Sequence, residues 1–384
     1  MTYLDNNATT CCAPEVIEAM LPYFGEQYGN PSSMHTFGGK VARELDAARA
    51  NVAALIGAEA QEIIFTGCGT EANNHALFGA VSALGKKVTL ITSAVEHPAI
   101  LEPCRQLQKQ GHTVIFIGVD GQGNLRMDEL DAALKTPDPK IVSIMWANNE
   151  TGVIFPIAEI ARRAKAAGAL MHTDAIQAVG KLSDINMKAV PVDMLSLSGH
   201  KLHAPKGIGA LYIRKGTPLH PFLFGGHQEK NRRAGTENVP YIVGLGKAAQ
   251  IARVQSPESR VQTAKLRDRL QEGLLKTCPD ARVNGDAAHR LPNTLNISFA
   301  YIEGESILLH LSDAGVCASS GSACTSGSLE PSHVLKAMGI PFTALHGSIR
   351  FSLSHLTTDA DIDRALDVMP TIVAKLRALS PFVR

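Results

Sequence analysis

Seven short apolar runs between residues 62 and 213 limit the possible folds more than any other feature of the chain. Helical stretches such as residues 157–168 separate several of these runs. Strands that alternate with helices in this way form a mostly parallel sheet covered by helices on both faces. The sequence therefore predicts an α/β fold around a mostly parallel seven-stranded sheet, with strands at 62–65, 87–92, 113–119, 140–147, 169–173, 192–198 and 208–213.

The pattern changes at its two ends. Residues 43–57 have apolar side chains at helical spacing, and Gly57 is placed to end that helix. After about residue 250, helical stretches and strands follow in an order typical of a smaller α+β domain, namely a helix at 258–277, strands at 293–299 and 348–354, a helix at 305–315, a Ser/Gly-rich loop and a closing helix. We predict a large domain of residues 13–255 and a small domain of residues 1–12 and 256–384, with the loop at about 319–330.

Composition excludes several classes of function. Lys and Arg total 37 against 36 for Asp and Glu, which gives no electrostatic reason to expect nucleic acid or an anionic membrane as the partner. The N-terminus has no targeting pattern, and no apolar run reaches the ~20 residues of a membrane span, so we expect a cytoplasmic protein. The seven cysteines are odd in number and lack C-x-x-C spacing, which favours free thiols in a reducing compartment and no metal site.

Polar residues lie just beyond several predicted strands, and each has an ordinary structural interpretation. Residues 66–71 form a glycine-bearing turn into a helix, which suits a phosphate but also fits a threonine N-cap. His97 and Asp174 are placed to cap helices, and Asn148 and Asn149 to form a turn. Likewise, the position of Lys201 is typical of a surface lysine at the end of a strand. The position of Arg350 is typical of a strand residue in a structural ion pair.

Taken together, these residues indicate one chemistry. Thr70, Ser198 and His200 would form a phosphate cradle, Lys201 an amine able to form a Schiff base, Asp174 a carboxylate and Arg350 a planar carboxylate binder. Pyridoxal 5'-phosphate (PLP) needs a lysine for covalent attachment and an aspartate that keeps its ring nitrogen protonated. The carboxyl ends of parallel strands meet at one crevice, so the set is expected to lie together.

Five motifs carry a resemblance to a known family: "VEHPAI", "HTDAIQAVGK", "SGHKLHAPKG", "RRAGTENV" and "SSGSACTSGSLEPSH". In this order they resemble the cysteine desulfurases, and most of all the NifS-type branch associated with nitrogen fixation. The resemblance runs from "YLDNNATT" at residue 3 to "GSIRFSLS" ending at residue 354. It implies the PLP fold type I, the fold of aspartate aminotransferase, and a homodimer.

The resemblance also implies a role for each matching residue. Lys201 would carry PLP, with the ring nitrogen on Asp174 and the phenolic oxygen on Gln177, while His97 would stack on the ring and transfer protons. The phosphate would be held by the turn at Gly69 and Thr70, by Ser198 and His200, and by Thr236 of the second subunit, whereas Arg350 and Asn149 would bind the carboxylate of the substrate.

Cys324 would be the nucleophile. It lies in a run of Ser, Gly and Thr whose composition favours mobility, which a thiol needs if it is to reach first a buried cofactor and then an outside acceptor. The resemblance implies that L-cysteine is converted to L-alanine and that its sulfur becomes a persulfide on Cys324. The acceptor would be an iron-sulfur scaffold protein of the NifU or IscU kind, and His97 is one group that would deprotonate the thiol.

Two alternatives stay open at this point. One is another PLP enzyme on the same fold, such as a selenocysteine lyase or an aminotransferase. The other is a thiol-bearing sulfur or redox carrier without cofactor chemistry, against which Lys201, Asp174 and Arg350 argue. The chain departs from the family at Cys11 and Cys12, and it lacks the longer C-terminal tail of the housekeeping branch, so scaffold docking through such a tail is not expected.

Overall fold

A computed structural model describes residues 1–137, 139–254, 257–320 and 331–381. Its strands are β1 (Thr2–Tyr3), β2 (Ile63–Thr66), β3 (Thr89–Ser93), β4 (Thr113–Ile117), β5 (Lys140–Ser143), β6 (Leu170–Asp174), β7 (Met194–Ser198), β8 (Gly209–Ile213), β9 (Ala281–Val283), β10 (Thr294–Phe299), β11 (Val316–Cys317) and β12 (Ser348–Ser352).

Seven of these strands form the central sheet. Their order across it is β2-β8-β7-β6-β5-β3-β4, and every neighbouring pair is parallel except the two pairs that include β8. The predicted seven-stranded, mostly parallel sheet is confirmed. Because β3, β5, β6 and β7 are parallel, their carboxyl ends open on the same edge.

Helices cover both faces of this sheet and pack around the smaller domain. Their bounds are α1 (Pro14–Met20), α2 (Pro22–Gly25), α3 (Thr36–Leu55), α4 (Gly69–Leu84), α5 (Pro98–Lys109), α6 (Met127–Ala133), α7 (Ile157–Ala166), α8 (Gln228–Asn231), α9 (Val239–Val254), α10 (Pro257–Thr277), α11 (Gly304–Asp313), α12 (His333–Ala337), α13 (Phe342–Leu345) and α14 (Asp359–Leu379). Within the described ranges no helix is long and apolar enough to cross a bilayer.

A second, separate core lies beyond the large sheet. The antiparallel strands β12, β10 and β9 and the helices α10, α11 and α14 enclose it, and Leu4 from the N-terminus is fully buried in it. The N-terminal strand β1 pairs with β11, which places Thr2 opposite Val316. The proposed division into 13–255 and 1–12 with 256–384 stays a prediction, since residues 255 and 256 lie outside the described ranges.

Two local differences separate the expectation from the structure. The helix expected at 43–57 begins at Thr36, because the His35 side chain accepts from the Gly38 N–H and caps it there. Gly57 does follow its end, with φ of 64°. The strand expected at 140–147 ends at Ser143, because the Glu96 side chain takes the Met145 N–H at 2.9 Å.

Candidate active site

A cavity of about 280 Å³ opens at the carboxyl edge of the central sheet. It collects ten of the residues singled out in the sequence, which come from six separate stretches of chain: Gly69, Thr70, His97, Asn149, Asp174, Gln177, Ser198, His200, Lys201 and Arg350. The expectation that strand-end residues meet in one crevice therefore holds.

Lys201 lies in a short 3-10 turn directly after β7. Its Nζ donates to two backbone carbonyl oxygens of the N-terminal segment, Asn7 O at 2.5 Å and Ala8 O at 2.7 Å. The amine is thereby held at the wall of the cavity, and it is not the exposed surface lysine of the alternative interpretation.

Asp174 ends β6 and is buried. Its carboxylate accepts from Asn73 Nδ2 at 2.7 Å and from the Ile176 N–H at 3.0 Å, both neutral donors. Burial raises the pKa of Asp174, and His97 and Lys201 oppose that rise. A buried carboxylate that accepts these bonds from neutral donors suits a ligand that brings a protonated nitrogen.

The turn before α4 has the features of a phosphate cradle. Gly69 begins the helix, and a Cβ atom there would lie 2.3 Å from Ile176 Cδ1, so a larger residue would displace this wall. Ser198 Oγ is buried and has no hydrogen-bond partner among the described residues. The helix cap is Cys68, whose Sγ accepts from the Glu71 N–H at 3.4 Å, and the expected threonine cap is wrong.

Two histidines in the cavity are held in defined orientations. His97 caps α5, and its Nδ1 accepts from the Ala99 N–H at 3.1 Å, which leaves Nε2 as the protonated nitrogen of the neutral ring. His200 Nδ1 lies 3.2 Å from Thr9 Oγ1. Burial lowers the pKa of both rings, that of His200 to about 4 with further lowering by Lys201, so His200 is neutral at pH 7.

Arg350 points from β12 toward the cavity and is only 3% exposed. One guanidinium nitrogen donates to Asp5 Oδ1 at 2.9 Å and another to Asn149 O at 3.1 Å, while the buried Nε finds no acceptor in the part of the chain that the structure describes. Both the structural ion pair and the place at the ligand cavity are thus present. Asp5 was not singled out in the sequence.

Asn7 is a second residue that the sequence did not single out, and it joins both domains at the cavity. Its backbone oxygen accepts from Gln177 Nε2 at 3.0 Å as well as from Lys201. Its side chain donates to Thr294 Oγ1 at 2.9 Å, and its N–H donates to Ser352 Oγ at 2.8 Å. The "NNATT" motif was the available signal, but the sequence predicts no strand before it, and the two-residue strand β1 is found only in the structure.

One described site residue, Thr236, is not brought into this cavity. Thr236 is exposed and lines a separate pocket of about 160 Å³ beside Glu229 and Arg233. Cys324 lies outside the described residues. Ser319, expected at the start of the cysteine loop, exchanges backbone hydrogen bonds with Arg350 at 2.7 and 3.2 Å.

Of the paired asparagines, Asn148 fits its structural interpretation and Asn149 its functional one. Asn148 Oδ1 accepts from the N–H groups of Glu150 and Thr151, each at 2.9 Å, and so shapes the turn. Asn149 lines the cavity. Within the described ranges, no group of three or more His, Cys, Asp or Glu side chains is arranged to hold a metal ion.

The fold and cavity define a class, and comparison with known proteins agrees with it. A lysine after β7 and a buried aspartate ending β6 face one cavity at the carboxyl edge of a mostly parallel sheet. The family model for aminotransferase class-V matches residues 2–365, and the chain belongs to that family of enzymes.

Within this family the relatives are cysteine desulfurases of the NifS type. The chain is 60% identical over 380 residues to a cysteine desulfurase of Trichormus azollae, covering 99% of this chain and 94% of that one. It is 55% identical over 381 residues to the cysteine desulfurase NifS of Azotobacter vinelandii, with 99% and 94% covered. A solved NifS-like protein superimposes with a TM-score of 0.92 at 38% identity, with 98% of this chain and all of that chain covered.

Proposed function

We propose that this chain is a PLP-dependent cysteine desulfurase that converts L-cysteine to L-alanine and transfers the sulfur to Cys324 as a persulfide. The observation that carries the proposal is the meeting of Lys201, Asp174 and Arg350 in one cavity. An amine, a buried carboxylate and a buried guanidinium are the groups needed to attach the cofactor, keep its ring protonated and bind an amino acid.

The residues present fit PLP. Lys201 would attach it, Asp174 would face the ring nitrogen, and the unpartnered Ser198 Oγ together with the turn at Gly69 and Thr70 would hold the phosphate. His200 and Gln177 line the same cavity. When bound, PLP supplies an electron sink that weakens bonds at the carbons of the substrate.

The chain itself positions the substrate and the proton. Arg350 would bind the substrate carboxylate, since its fork lies beside Asn149 at the cavity and its buried Nε has no acceptor. His97 carries a proton on Nε2 when neutral and would transfer it at the reacting centre. Arg350 and Asp174 are buried, which strengthens these charge interactions by excluding water.

The sulfur transfer balances without a further reagent. The thiolate of Cys324 attacks the sulfur of the bound cysteine, so that a sulfur–sulfur bond forms as the carbon–sulfur bond breaks. The transferred sulfur is oxidised to the persulfide level, and the carbon it leaves is reduced to the methyl group of alanine. An iron-sulfur scaffold protein of the NifU or IscU kind would accept the sulfur, for nitrogenase or for general cluster assembly.

A homodimer would complete the phosphate site. Large apolar side chains are exposed in one stretch near the N-terminus: Leu21 at 60%, Phe24 at 60%, Tyr28 at 74% and Met34 fully. Such a patch is typical of a subunit interface. Thr236 is exposed and away from its own cavity, as expected if it serves the second subunit.

Mass spectrometry after incubation with L-cysteine tests the proposal. The wild-type protein is expected to gain one sulfur on the peptide that contains Cys324 and to release alanine. Cys324→Ala should keep the yellow colour of bound PLP but lose the persulfide, and Lys201→Ala should lose both. Alanine formed at the wild-type rate by Cys324→Ala would favour the alternative of another PLP lyase, and a protein that binds no PLP would refute the proposal.

A further inference from the structure

Lys181 is a half-buried lysine that the proposed mechanism does not use. It follows β6 by seven residues, at the end of a tight turn in which Gly180 has a φ of 78°. A Cβ atom at Gly180 would lie 2.4 Å from Leu202 Cδ2, so this turn is packed closely against the segment that follows Lys201. The packing fixes where the Lys181 side chain starts.

The amine contacts two amide oxygens at the wall of the active-site cavity. Lys181 Nζ lies 2.5 Å from Gln177 Oε1 and 3.2 Å from Asn7 Oδ1. Gln177 Nε2 in turn lies 3.0 Å from the backbone oxygen of Asn7. The Gln177 side chain is therefore held at both ends of its amide group.

These two contacts determine which way the amide faces. A backbone oxygen only accepts, so the Gln177 atom beside Asn7 O must be the NH₂ group. An amine that lies between two oxygens must donate to both, so the atom beside Lys181 must be the carbonyl oxygen. The two ends agree, and these two contacts leave the second N–H of the Gln177 amide unused, in a side chain that lines the cavity.

The charges around Lys181 explain why this contact is unusual. The charged groups that act on it are the cations Lys201 and Arg350, and with burial they lower its pKa well below 10.5. Its own charge in turn helps to lower the pKa of His200 and His203. A lysine placed among cations, with amide oxygens as its described acceptors, lowers the stability of the fold. Such a cost is expected where the N–H donors of the lysine have a role.

We propose that Lys181 is a positioning residue, which holds the Gln177 amide with its NH₂ group toward the cavity so that an anionic oxygen of the ligand there always meets a donor. The inference rests on the proposed function, in which that oxygen is the phenolic oxygen of PLP. Without Lys181 only the bond to the Asn7 backbone oxygen holds the amide. An amide that turns over presents its carbonyl oxygen, which repels an anionic oxygen.

Reconstitution of the cofactor-free protein with PLP tests this role without measuring turnover. Lys181→Met is expected to weaken PLP binding about tenfold in equilibrium dialysis, as for the loss of one hydrogen bond to a charged group. In a spectrophotometric titration of the bound cofactor, the pH midpoint should rise by about one unit, because the deprotonated oxygen loses a donor. Lys181→Arg, which can donate only, should restore most of both effects.

Two comparisons separate positioning from a general loss of structure. Lys188→Met removes the same charge from an exposed lysine that pairs with Glu59, and it should change neither readout. In a Gln177→Ala background, Lys181→Met should add less than a twofold loss, because the group it positions is gone. Lys181→Leu provides the same readouts if thermal unfolding shows that Lys181→Met is not folded.

The outcomes distinguish this inference from the proposed function. If the wild-type protein binds no PLP, the proposed function itself fails. If the wild-type protein binds PLP, and Lys181→Met either binds and titrates like it or loses as much in the Gln177→Ala background as in the wild type, only the role of Lys181 is overturned.

Discussion

Arg350 combines a structural contact and a binding role in a single side chain. Asp5 occupies one of its guanidinium nitrogens at 2.9 Å, and the backbone of Asn149 occupies another at 3.1 Å. These two bonds hold the fork of the guanidinium in place before a ligand arrives. A planar fork held in this way matches a carboxylate better than a flexible ammonium does.

Replacing Arg350 by lysine tests this role. In Arg350→Lys the charge remains but the fork is lost, so we expect KM for L-cysteine to rise between about tenfold and a hundredfold, with a smaller fall in kcat. Alanine release at varied L-cysteine measures both constants. Arg364→Lys, on the surface of α14, serves as the control. An unchanged KM in Arg350→Lys would remove Arg350 from the substrate site.

Residues near strand ends could be found from the sequence, whereas their supports could not. Lys201 and Asp174 follow or end apolar strands, which marks them out without a structure. Asp5, Asn7 and Lys181 act through bonds to partners up to 345 residues away, and nothing in their local pattern marks those bonds. The motifs of the resemblance include all three residues, since "YLDNNATT" contains Asp5 and Asn7 and "HTDAIQAVGK" ends at Lys181. The resemblance implies roles only for residues that touch a ligand.

At the scale of elements, the end of β3 shows how one buried side chain changes a neighbouring strand. Glu96 is fully buried, and its Oε1 accepts from Ser93 Oγ at 2.6 Å and from the Met145 N–H at 2.9 Å. This bond takes the place of a ladder bond after β5. Apolar content alone predicts that β5 continues to Ala147. Nothing in the sequence indicates that a side chain from the segment after β3 bonds to the backbone there.

The ionisation of Glu96 predicts a pH dependence of stability. Burial raises the pKa of Glu96 to about 8, above its ordinary value of 4.5. Between these values the folded state keeps a proton that the unfolded state has lost, so stability is greatest at the acidic end and falls as the pH rises toward 8. In Glu96→Gln this contribution is absent.

Denaturant unfolding of both proteins at pH 5, 6.5 and 8 measures the effect. The wild-type free energy of unfolding, taken relative to that of Glu96→Gln, should fall across this range by an amount on the order of 4 kcal/mol. Glu102→Gln changes an exposed carboxylate on α5 and should leave the wild-type pH dependence in place. Parallel curves for the wild type and Glu96→Gln would show that Glu96 is ionised in the folded protein.

At the scale of the whole molecule, the site is expected to require two chains. A mixed dimer of Lys201→Ala and Thr236→Ala chains separates action within a chain from action between chains. If Thr236 serves the second subunit, one of the two sites in the mixed dimer has both residues intact. We then expect about half of the wild-type activity at limiting PLP, measured as alanine release from a doubly tagged, purified heterodimer.

The two parent homodimers are the controls for this experiment. Lys201→Ala should be inactive, and Thr236→Ala should be active only when PLP is raised, because it lacks one phosphate donor in each site. A mixed dimer no more active than the Thr236→Ala homodimer would place Thr236 in its own subunit's site or in none.

The attachment of the N-terminal segment to the far end of the chain has a consequence for biosynthesis. Asn7 lines the catalytic cavity, yet Ser352, which accepts from its N–H, lies 345 residues later. Ribosomes add roughly 5–20 residues per second, so this interval corresponds to roughly 17–70 s of translation. Asn7 therefore reaches its final position only after residue 352 has been synthesised, and a nascent chain cannot complete the floor of its catalytic cavity before that point.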